Sequence, residues 1–308
     1  LSQASMPQQE PQPGKNTTLT RRFEWHAFLV LSLLVNQPYC LAVDGQLEKL
    51  RREVRDPPGH VEETATRRQE QEQRPRWLEE EQQEDAWSDL FGQLLLVTFT
   101  SPFWAPIDFL EDNHAIDGYF FQHPYEADQV GLMAIGDLPS RNDKLRAWAM
   151  RMDVEYGDSF NNTARVGGHA LLQTRSRWGL DGGVDYRYEN LATGDQDQLW
   201  TGDLNIVYRF AQSEAVQFRT GLGFNWLADQ EDSDFGFNFT YAVDWLPRAP
   251  WVYTAEIDLG TIGEATLFHG RFTAGIQLRR LEIYSGYDYY DVGHVDLSNF
   301  VSGIRFSY

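Results

Sequence analysis

The sequence predicts an all-β fold, an antiparallel up-and-down transmembrane β-barrel of about ten strands. From Trp148 onward, apolar and polar residues alternate. A period of two is typical of strands, because successive side chains point to opposite faces of a sheet. The segments that show this period are Trp148–Tyr156, Ala164–Leu172, Leu180–Tyr188, Trp200–Phe210, Val216–Trp226, Phe235–Trp245, Trp251–Leu259, Phe268–Leu278, Leu281–Tyr289 and Phe300–Tyr308.

The connections between these segments are long and short in turn. ENLATGDQDQ and LADQEDSD are long, whereas AQSEA and LPRAP are short. Barrels of the bacterial outer membrane have short periplasmic turns and longer outside loops. An even number of strands then predicts that the barrel begins and ends on the periplasmic side. A soluble β-sandwich also alternates, and it is the structural alternative.

Aromatic residues at both ends of the segments predict two membrane-interface girdles. From Trp200 to Phe210 there are ten residue steps. At about 3.3 Å per step and a tilt near 40° the strand rises roughly 25 Å, the height of an outer-membrane apolar band. The predicted girdles are Trp148, Trp178, Phe210, Trp245, Trp251 and Tyr308 at the short turns, and Tyr156, Tyr188, Trp200, Trp226, Phe235, Phe268, Tyr289 and Phe300 at the long loops.

The polar face of the segments combines many charges with many glycines. Glycines leave room inside a narrow barrel for long charged side chains, which need partners when they are buried. We interpret His169 and His269 as members of this network rather than as metal ligands. The predicted lumen network is Arg151, Asp153, Glu155, Arg165, His169, Asp185, Arg187, Asp203, Arg209, Arg219, Glu256, Asp258, His269, Arg271, Glu282, Asp288 and Arg305.

The last segment alternates up to an aromatic residue, with Phe300, Ser302, Ile304, Phe306 and Tyr308 on one face. Residues 144–308 therefore resemble bacterial outer-membrane β-barrel proteins. Many of these end in a strand whose terminal aromatic residue is read by the barrel-assembly machinery, although Phe is more common there than Tyr. The resemblance implies an outer-membrane location, with lipid, lipopolysaccharide and that machinery as partners.

The N-terminal part has three predicted segments. Residues 1–42 are a leader in which Arg21 and Arg22 precede an apolar run, as in an export signal. Residues 43–86 are an exposed, charged linker, partly helical or disordered. Residues 87–143 contain an amphipathic piece that plugs the barrel or lies at a membrane surface. We expect the N-terminal segment to be periplasmic, and residues 94–134 leave a total of twelve strands open.

Composition excludes several functions. The net charge of −20 argues against binding nucleic acid. The single cysteine excludes an internal disulfide framework, and no phosphate loop or dinucleotide motif occurs. We therefore expect no cofactor, no resident metal ion and no catalytic residues. The acidic loops DQDQ and DQEDSD suggest a further hypothesis, that divalent cations bind there and bridge to lipopolysaccharide phosphates.

Three functional classes follow. The first is a non-enzymatic envelope protein with a largely filled lumen and a structural or surface-interaction role. The second is a narrow pore for small solutes. The third is a surface-exposed hydrolase similar to the omptin proteases, which use acidic pairs and an Asp/His pair near the outer rim. Its candidate residues are Asp291, His294 and Asp296 with Asp232 and Asp234.

Overall fold

The computed structural model of the protein describes residues 45–56, 100–114, 116–126, 131–136, 145–160 and 162–308. The predicted leader, with Arg21 and Arg22, lies outside the described residues, as does most of the predicted linker. Two helices are described, α1 (Gln46–Arg55) and α2 (100–109). Within the described residues, neither helix has the length and hydrophobicity to cross a membrane.

The strands are short in the N-terminal part and long from Trp148 onward. β1 and β2 have three residues each, and the others have 11 to 17. In chain order they are β1 (Gly118–Phe120), β2 (Met133–Ile135), β3 (Trp148–Asp158), β4 (Thr163–Thr174), β5 (Trp178–Asn190), β6 (Gln196–Gln212), β7 (Val216–Ala228), β8 (Ser233–Arg248), β9 (Trp251–Ile262), β10 (Ala265–Leu278), β11 (Leu281–Val292) and β12 (Val295–Ser307).

Strands β3 to β12 form one closed antiparallel barrel in which each strand pairs with its neighbours along the chain. Closure comes from β12 pairing with β3, where Ile304 lies opposite Val154. The predicted fold class and the count of ten barrel strands are confirmed. Strands β1 and β2 form a separate two-stranded sheet, so they do not extend the barrel to twelve. Because all ten strands lie in one closed sheet, the β-sandwich alternative is excluded.

Side chains alternate between the outside of the barrel and its lumen. The outward-facing Ile206, Leu222 and Ile304 are 59%, 58% and 54% exposed, whereas the inward-facing Arg219 and Arg305 are each 1% exposed. The polarity is thus the reverse of that of a water-soluble protein. Soluble monomers do not expose so broad an apolar surface, and a closed barrel leaves no unpaired backbone edge within a hydrocarbon layer.

Aromatic side chains cluster at both ends of the outer surface, as the sequence predicts. At the short-turn end, Trp148 contacts Tyr308 with ring centroids 5.3 Å apart, and Trp178 lies 4.9 Å from Tyr208. At the long-loop end, equivalent contacts join Tyr186 to Trp200 (5.0 Å), Phe224 to Phe235 (6.2 Å) and Phe268 to Tyr289 (5.9 Å). Such girdles are typical of the two interfaces of a membrane barrel.

Helix α1 lies inside the long-loop end of the barrel. Its Leu47, Leu50 and Val54 are at most 1% exposed. The spacing i, i+3, i+7 places these side chains on one helix face, which contacts the wall residues Leu199, Leu227, Ile262, Ala265, Leu267, Tyr290, Val292, Val295 and Leu297. For residues 46–55, the expectation of an exposed linker is wrong, because this apolar face is buried in the barrel.

Residues 100–146 lie on the outer wall and at the short-turn end, as far as they are described. On the outer wall, Phe103 of α2 contacts Phe210 and Tyr241, and the Tyr241 hydroxyl donates to the Pro102 carbonyl at 2.7 Å. At the short turns, β1 and β2 are joined to the barrel by the N–H of Leu132, which donates to the Glu214 carbonyl at 3.0 Å. The described residues thus place α1 at the long-loop end of the barrel and the β1–β2 sheet at the short-turn end.

Candidate functional site in the barrel lumen

The lumen is crossed by ion pairs. Arg151 on β3 donates to Asp244 on β8 at 2.9 Å, and these two strands lie on opposite sides of the ten-strand ring. Asp244 also accepts hydrogen bonds from Arg219 and from Thr254. Because both arginines and the carboxylate come from separate strands, this cluster connects the walls of the barrel directly.

A second set of ion pairs lies around Glu155. Arg165 donates to Glu155 Oε1 at 2.5 Å, Arg271 donates to Glu155 Oε2, and Arg165 also pairs with Asp288 at 3.2 Å. Arg305 pairs with Asp153 through Nε at 3.1 Å. The same guanidinium contacts Glu282 at 2.9 Å. Charges this deeply buried are tolerated only when they are paired, and each charge in this cluster has at least one ion-pair partner.

The two lumen histidines differ in their surroundings. His269 has both ring nitrogens 2.7 Å from a carboxylate, Nδ1 from Asp258 and Nε2 from Asp288. His169 has Nε2 2.5 Å from Asp181 Oδ1, whereas Nδ1 is 3.5 Å from Asp153 Oδ2. The Nε2 contact of His169 does not have hydrogen-bond geometry, since neither oxygen of Asp181 accepts a hydrogen bond from the described residues. The first histidine is fully bonded, and the second is not.

A cavity of about 40 Å³ lies between the two histidines. This is room for water molecules. Most of the residues that line it are charged or histidine; the lining is Asp153, Glu155, Arg165, Gly168, His169, Gly183, Val184, Asp185, Asp203, Glu256, His269, Arg271 and Asp288.

Ion pairs at the long-loop rim hold helix α1 in place. Arg51 donates to both oxygens of Asp197, at 2.6 and 2.7 Å, and its Nε lies 2.8 Å from Asp229. The hydrogen bond to Asp197 raises the pKa of Arg51 against the opposing effect of burial. Arg55 pairs with Asp229 at 3.1 Å and with Asp234 at 2.9 Å. Carboxylates that the sequence suggested as cation ligands therefore bind the arginines of α1.

The short-turn end is closed differently. Arg177, in the turn between β4 and β5, makes a bidentate ion pair with Asp112 at 2.6 and 2.9 Å, and these side chains are 4% and 1% exposed. Asp112 also accepts a hydrogen bond from the backbone N–H of Gln212 at 3.1 Å. Phe120 is fully buried, with the guanidinium of Arg209 5.0 Å from its ring centroid. The β1–β2 sheet thus contacts lumen-facing groups.

The apolar exterior, the closed sheet and the charged lumen together decide the type of protein. The architecture is that of an outer-membrane β-barrel protein. No family model and no curated protein matches the chain. Among solved structures, it is similar to Ail, the attachment invasion locus protein of Yersinia pestis, with 10% identity and a TM-score of 0.30, over 53% of this chain and 99% of that chain.

The structure places the predicted lumen residues on the inner side of this β-barrel. The ion pairs above include most of them. Arg187 donates to Thr201 at 3.1 Å and lies over the ring of Tyr290, and Asp203 accepts a hydrogen bond from Asn205 at 2.7 Å. Arg209 donates to Gln212 at 2.6 Å. The predicted assembly-signal residues Phe300, Ile304, Phe306 and Tyr308 are exposed, and their role in assembly stays a prediction.

Two central carboxylates, Asp181 and Asp244, are not among the lumen residues that the sequence predicts. Both are at most 2% exposed and face the lumen. The period of two predicts that both residues face the lumen. Asp181 has the same parity as Asp185 on β5, and Asp244 lies between the outward-facing Val243 and Trp245.

The residues suggested for a hydrolase do not form a catalytic cluster among the described residues. His294 is an exposed turn residue between β11 and β12. Asp291 and Asp296 are directly opposite each other on those strands. Asp234 is paired with Arg55 of α1, and Asp232 lies in the β7–β8 loop. No described contact activates His294 as a base, so this alternative receives no support.

Proposed function

We propose that this protein is a non-enzymatic β-barrel of a bacterial outer membrane with a closed lumen and a structural or surface-interaction role. The observation that carries the proposal is the ion-pair network that connects opposite walls of the barrel, as in Arg151 with Asp244. A pore needs a continuous hydrated path, whereas the polar cavity between the histidines has only about 40 Å³. Lipopolysaccharide and the barrel-assembly machinery are the partners that this proposal implies.

Location is tested first, by membrane fractionation together with heat-modifiable migration on a gel. The proposal expects the folded protein in the outer-membrane fraction, with faster migration before boiling. Recovery in the aqueous fraction without detergent would contradict it. Protease added to intact cells tests the orientation, since the proposal expects the acidic long loops at the cell surface.

A gated narrow pore is the second candidate, and one observation favours it. Helix α1 is joined to the long-loop rim by ion pairs of Arg51 and Arg55, whose side chains are 15% and 26% exposed. Partly exposed pairs are weak and sensitive to salt. An element held in this way could leave the barrel mouth.

Planar-bilayer conductance of the Leu50→Asp variant separates the two candidates. Leu50 is fully buried in the apolar seat of α1, the wall residues that pack against Leu47, Leu50 and Val54. A charge at this position expels α1 from the seat because an unpaired buried carboxylate costs several kcal/mol. The closed-lumen proposal expects wild type and variant to remain silent, since the ion pairs below α1 still cross the lumen. Discrete openings in Leu50→Asp, absent from the exposed-site control Lys49→Asp, would favour the gated pore.

A further inference from the structure

We propose that the lumen contains a binding site for one divalent transition-metal ion of the zinc type, formed by His169, Asp181 and Glu256. These residues lie on β4, β5 and β9. One ligand atom from each lies within 4.8 Å of the others. Strands β4 and β9 are on opposite sides of the ring. A bound ion would therefore join opposite walls of the barrel.

The ligand types suit this ion. Zinc in proteins binds imidazole nitrogen and carboxylate oxygen, and sites with three protein ligands keep a fourth position for water. Glu256 and His169 also line the cavity of about 40 Å³, which gives space for that water. Calcium and magnesium prefer all-oxygen sets, so the imidazole favours a transition metal.

Asp181 has ligand atoms that hydrogen bonding leaves open. It is 2% exposed, and neither of its oxygens accepts a hydrogen bond from the described residues. Arg219 approaches Asp181 Oδ2 at 3.5 Å and Glu256 Oε2 at 3.1 Å. Arg219 therefore contacts one oxygen of each carboxylate. The second oxygen of Asp181, Oδ1, faces His169 Nε2. The charge of Asp181 is balanced by His169 and Arg219, but its oxygens have no hydrogen-bond donor among the described residues, so their lone pairs are open to a metal ion.

The opposite side of the His169 ring shows a second feature of metal ligands. A ligating histidine usually has its other ring nitrogen directed at a carboxylate or carbonyl, which fixes the ring and its tautomer. His169 Nδ1 faces Asp153 Oδ2 at 3.5 Å without making a hydrogen bond, so Asp153 is the carboxylate placed to accept one when the ring binds a metal ion. Asp153 is itself held by Arg305 Nε at 3.1 Å and lies 3.0 Å from the Tyr284 hydroxyl. Asp153 is thus placed as the positioning residue of the site.

His269 is a matched control within the same lumen. It too lies between two carboxylates, but both of its nitrogens are hydrogen-bonded at 2.7 Å, so neither is open to a metal ion. The substitutions His169→Gln and His269→Gln each remove one imidazole from the polar network. Only the first removes a proposed ligand.

Metal content and stability of the full-length, detergent-folded protein test the proposal. After chelation, reloading with zinc and gel filtration, we expect about one zinc per chain by mass spectrometry in wild type and His269→Gln, and loss of zinc in His169→Gln. Zinc should raise the urea midpoint of unfolding in wild type and His269→Gln but not in His169→Gln. For Asp153→Asn we expect zinc affinity to fall about 10- to 100-fold.

Substoichiometric zinc in folded wild type would overturn the proposal, as would equal loss in both histidine variants. Heat-modifiable migration on a gel establishes that each variant is folded. If His169→Gln does not fold, Asp153→Asn and wild type decide the question. Unchanged affinity in Asp153→Asn would overturn the positioning role of that residue. An unchanged urea midpoint on zinc binding would place the ion elsewhere than between the walls.

Discussion

At the two ends of the lumen, other parts of the chain are held by different chemistry. At the long-loop end, Leu47, Leu50 and Val54 of α1 enter an apolar seat, and the charges lie at the rim. At the short-turn end, the buried ion pair of Arg177 with Asp112 is central, with Phe120 covered by Arg209. Apolar burial is non-directional and contributes about 1.5–3 kcal/mol per large side chain. A buried ion pair adds little net stability when intact, but breaking it is costly.

Because of this difference, we expect substitutions at the two ends to act in different ways. Loss of one apolar contact in α1 weakens the seat by degrees, because neighbouring side chains still bury area. Loss of one partner at the short-turn end leaves an uncompensated buried charge. We therefore expect the short-turn end to depend on single residues more strongly than the long-loop end.

The largest expected effect is that of Arg177→Met at the short-turn end. The substitution leaves the Asp112 carboxylate, which is 1% exposed, without its cationic partner. Removing one partner of a buried pair costs about 3–5 kcal/mol. We expect the segment around Asp112 and the β1–β2 sheet to become cleavable by protease in the folded protein. Limited proteolysis in detergent, with mass spectrometry of the fragments, measures this.

Arg175→Met is the matched control for that experiment. Arg175 is in the same turn and pairs with Asp117 at 3.4 Å, where both side chains are 48% exposed; it also makes an exposed hydrogen bond to the Tyr119 hydroxyl of β1 at 2.7 Å. An exposed pair contributes about 0–1 kcal/mol. Similar proteolysis in the two variants would show that burial of the Arg177 pair does not govern this end.

A smaller effect is expected from Gly263→Ala at the long-loop end. Gly263 has a φ of +54°, and a Cβ there would lie 2.4 Å from the backbone carbonyl oxygen of Val54 in α1. Gly194→Ala is the control, because Gly194 has a φ of +90° with nothing within 4 Å of its Cβ position. In both variants, an alanine in the left-handed backbone conformation destabilises the fold by about 1–2 kcal/mol. Only Gly263→Ala should also displace α1.

Hydrogen exchange of the α1 amides separates these two variants. We expect faster exchange across residues 46–55 in Gly263→Ala and unchanged exchange there in Gly194→Ala. Equal exchange in both variants would mean that α1 moves away from the β9–β10 turn while its apolar side chains stay buried. The apolar contacts of α1 would then tolerate a shift of the helix.

The barrel is predictable from the sequence because the signal there is local and repeated. Each strand from β3 to β12 has one lipid-facing and one lumen-facing side, so a period of two appears in every segment. Helix α1 was missed as a buried element because its three apolar residues, Leu47, Leu50 and Val54, stand among seven polar or charged ones. Composition suggested a solvated linker, whereas the spacing of those three residues matches one helix face.

The ion pair at the short-turn end of the lumen could not be predicted from the sequence, for a different reason. Asp112 and Arg177 are 65 residues apart, and no local pattern connects an acidic residue in a coil with an arginine in a strand turn. The same holds for the zinc-type site, whose ligands come from three strands. The period of two places His169 and Glu256 in the lumen, but it does not specify which residues of different strands meet across it.

The smallest expected effect concerns pH at the long-loop rim. Burial alone would raise the pKa of the Asp229 carboxyl, but hydrogen bonds from the backbone N–H of Asp232, from Arg55 and from the N–H of Glu231 outweigh it and lower the pKa from 3.8 to about 2. Because the folded pKa is depressed, the stabilisation of α1 by Asp229 is fully present above pH 3.8 and is lost as the pH falls through about 2.

Hydrogen exchange of α1 between pH 5 and pH 2, corrected for intrinsic rates, measures the effect. We expect a loss of protection below about 1 kcal/mol in wild type that is reduced in Asp229→Asn. The β1–β2 amides should not share the Asp229 contribution, because Asp229 lies at the other end of the barrel. A pH response of β1–β2 that also disappears in Asp229→Asn would mean that the two closures are coupled through the lumen network, and the difference between the ends would then be one of chemistry alone.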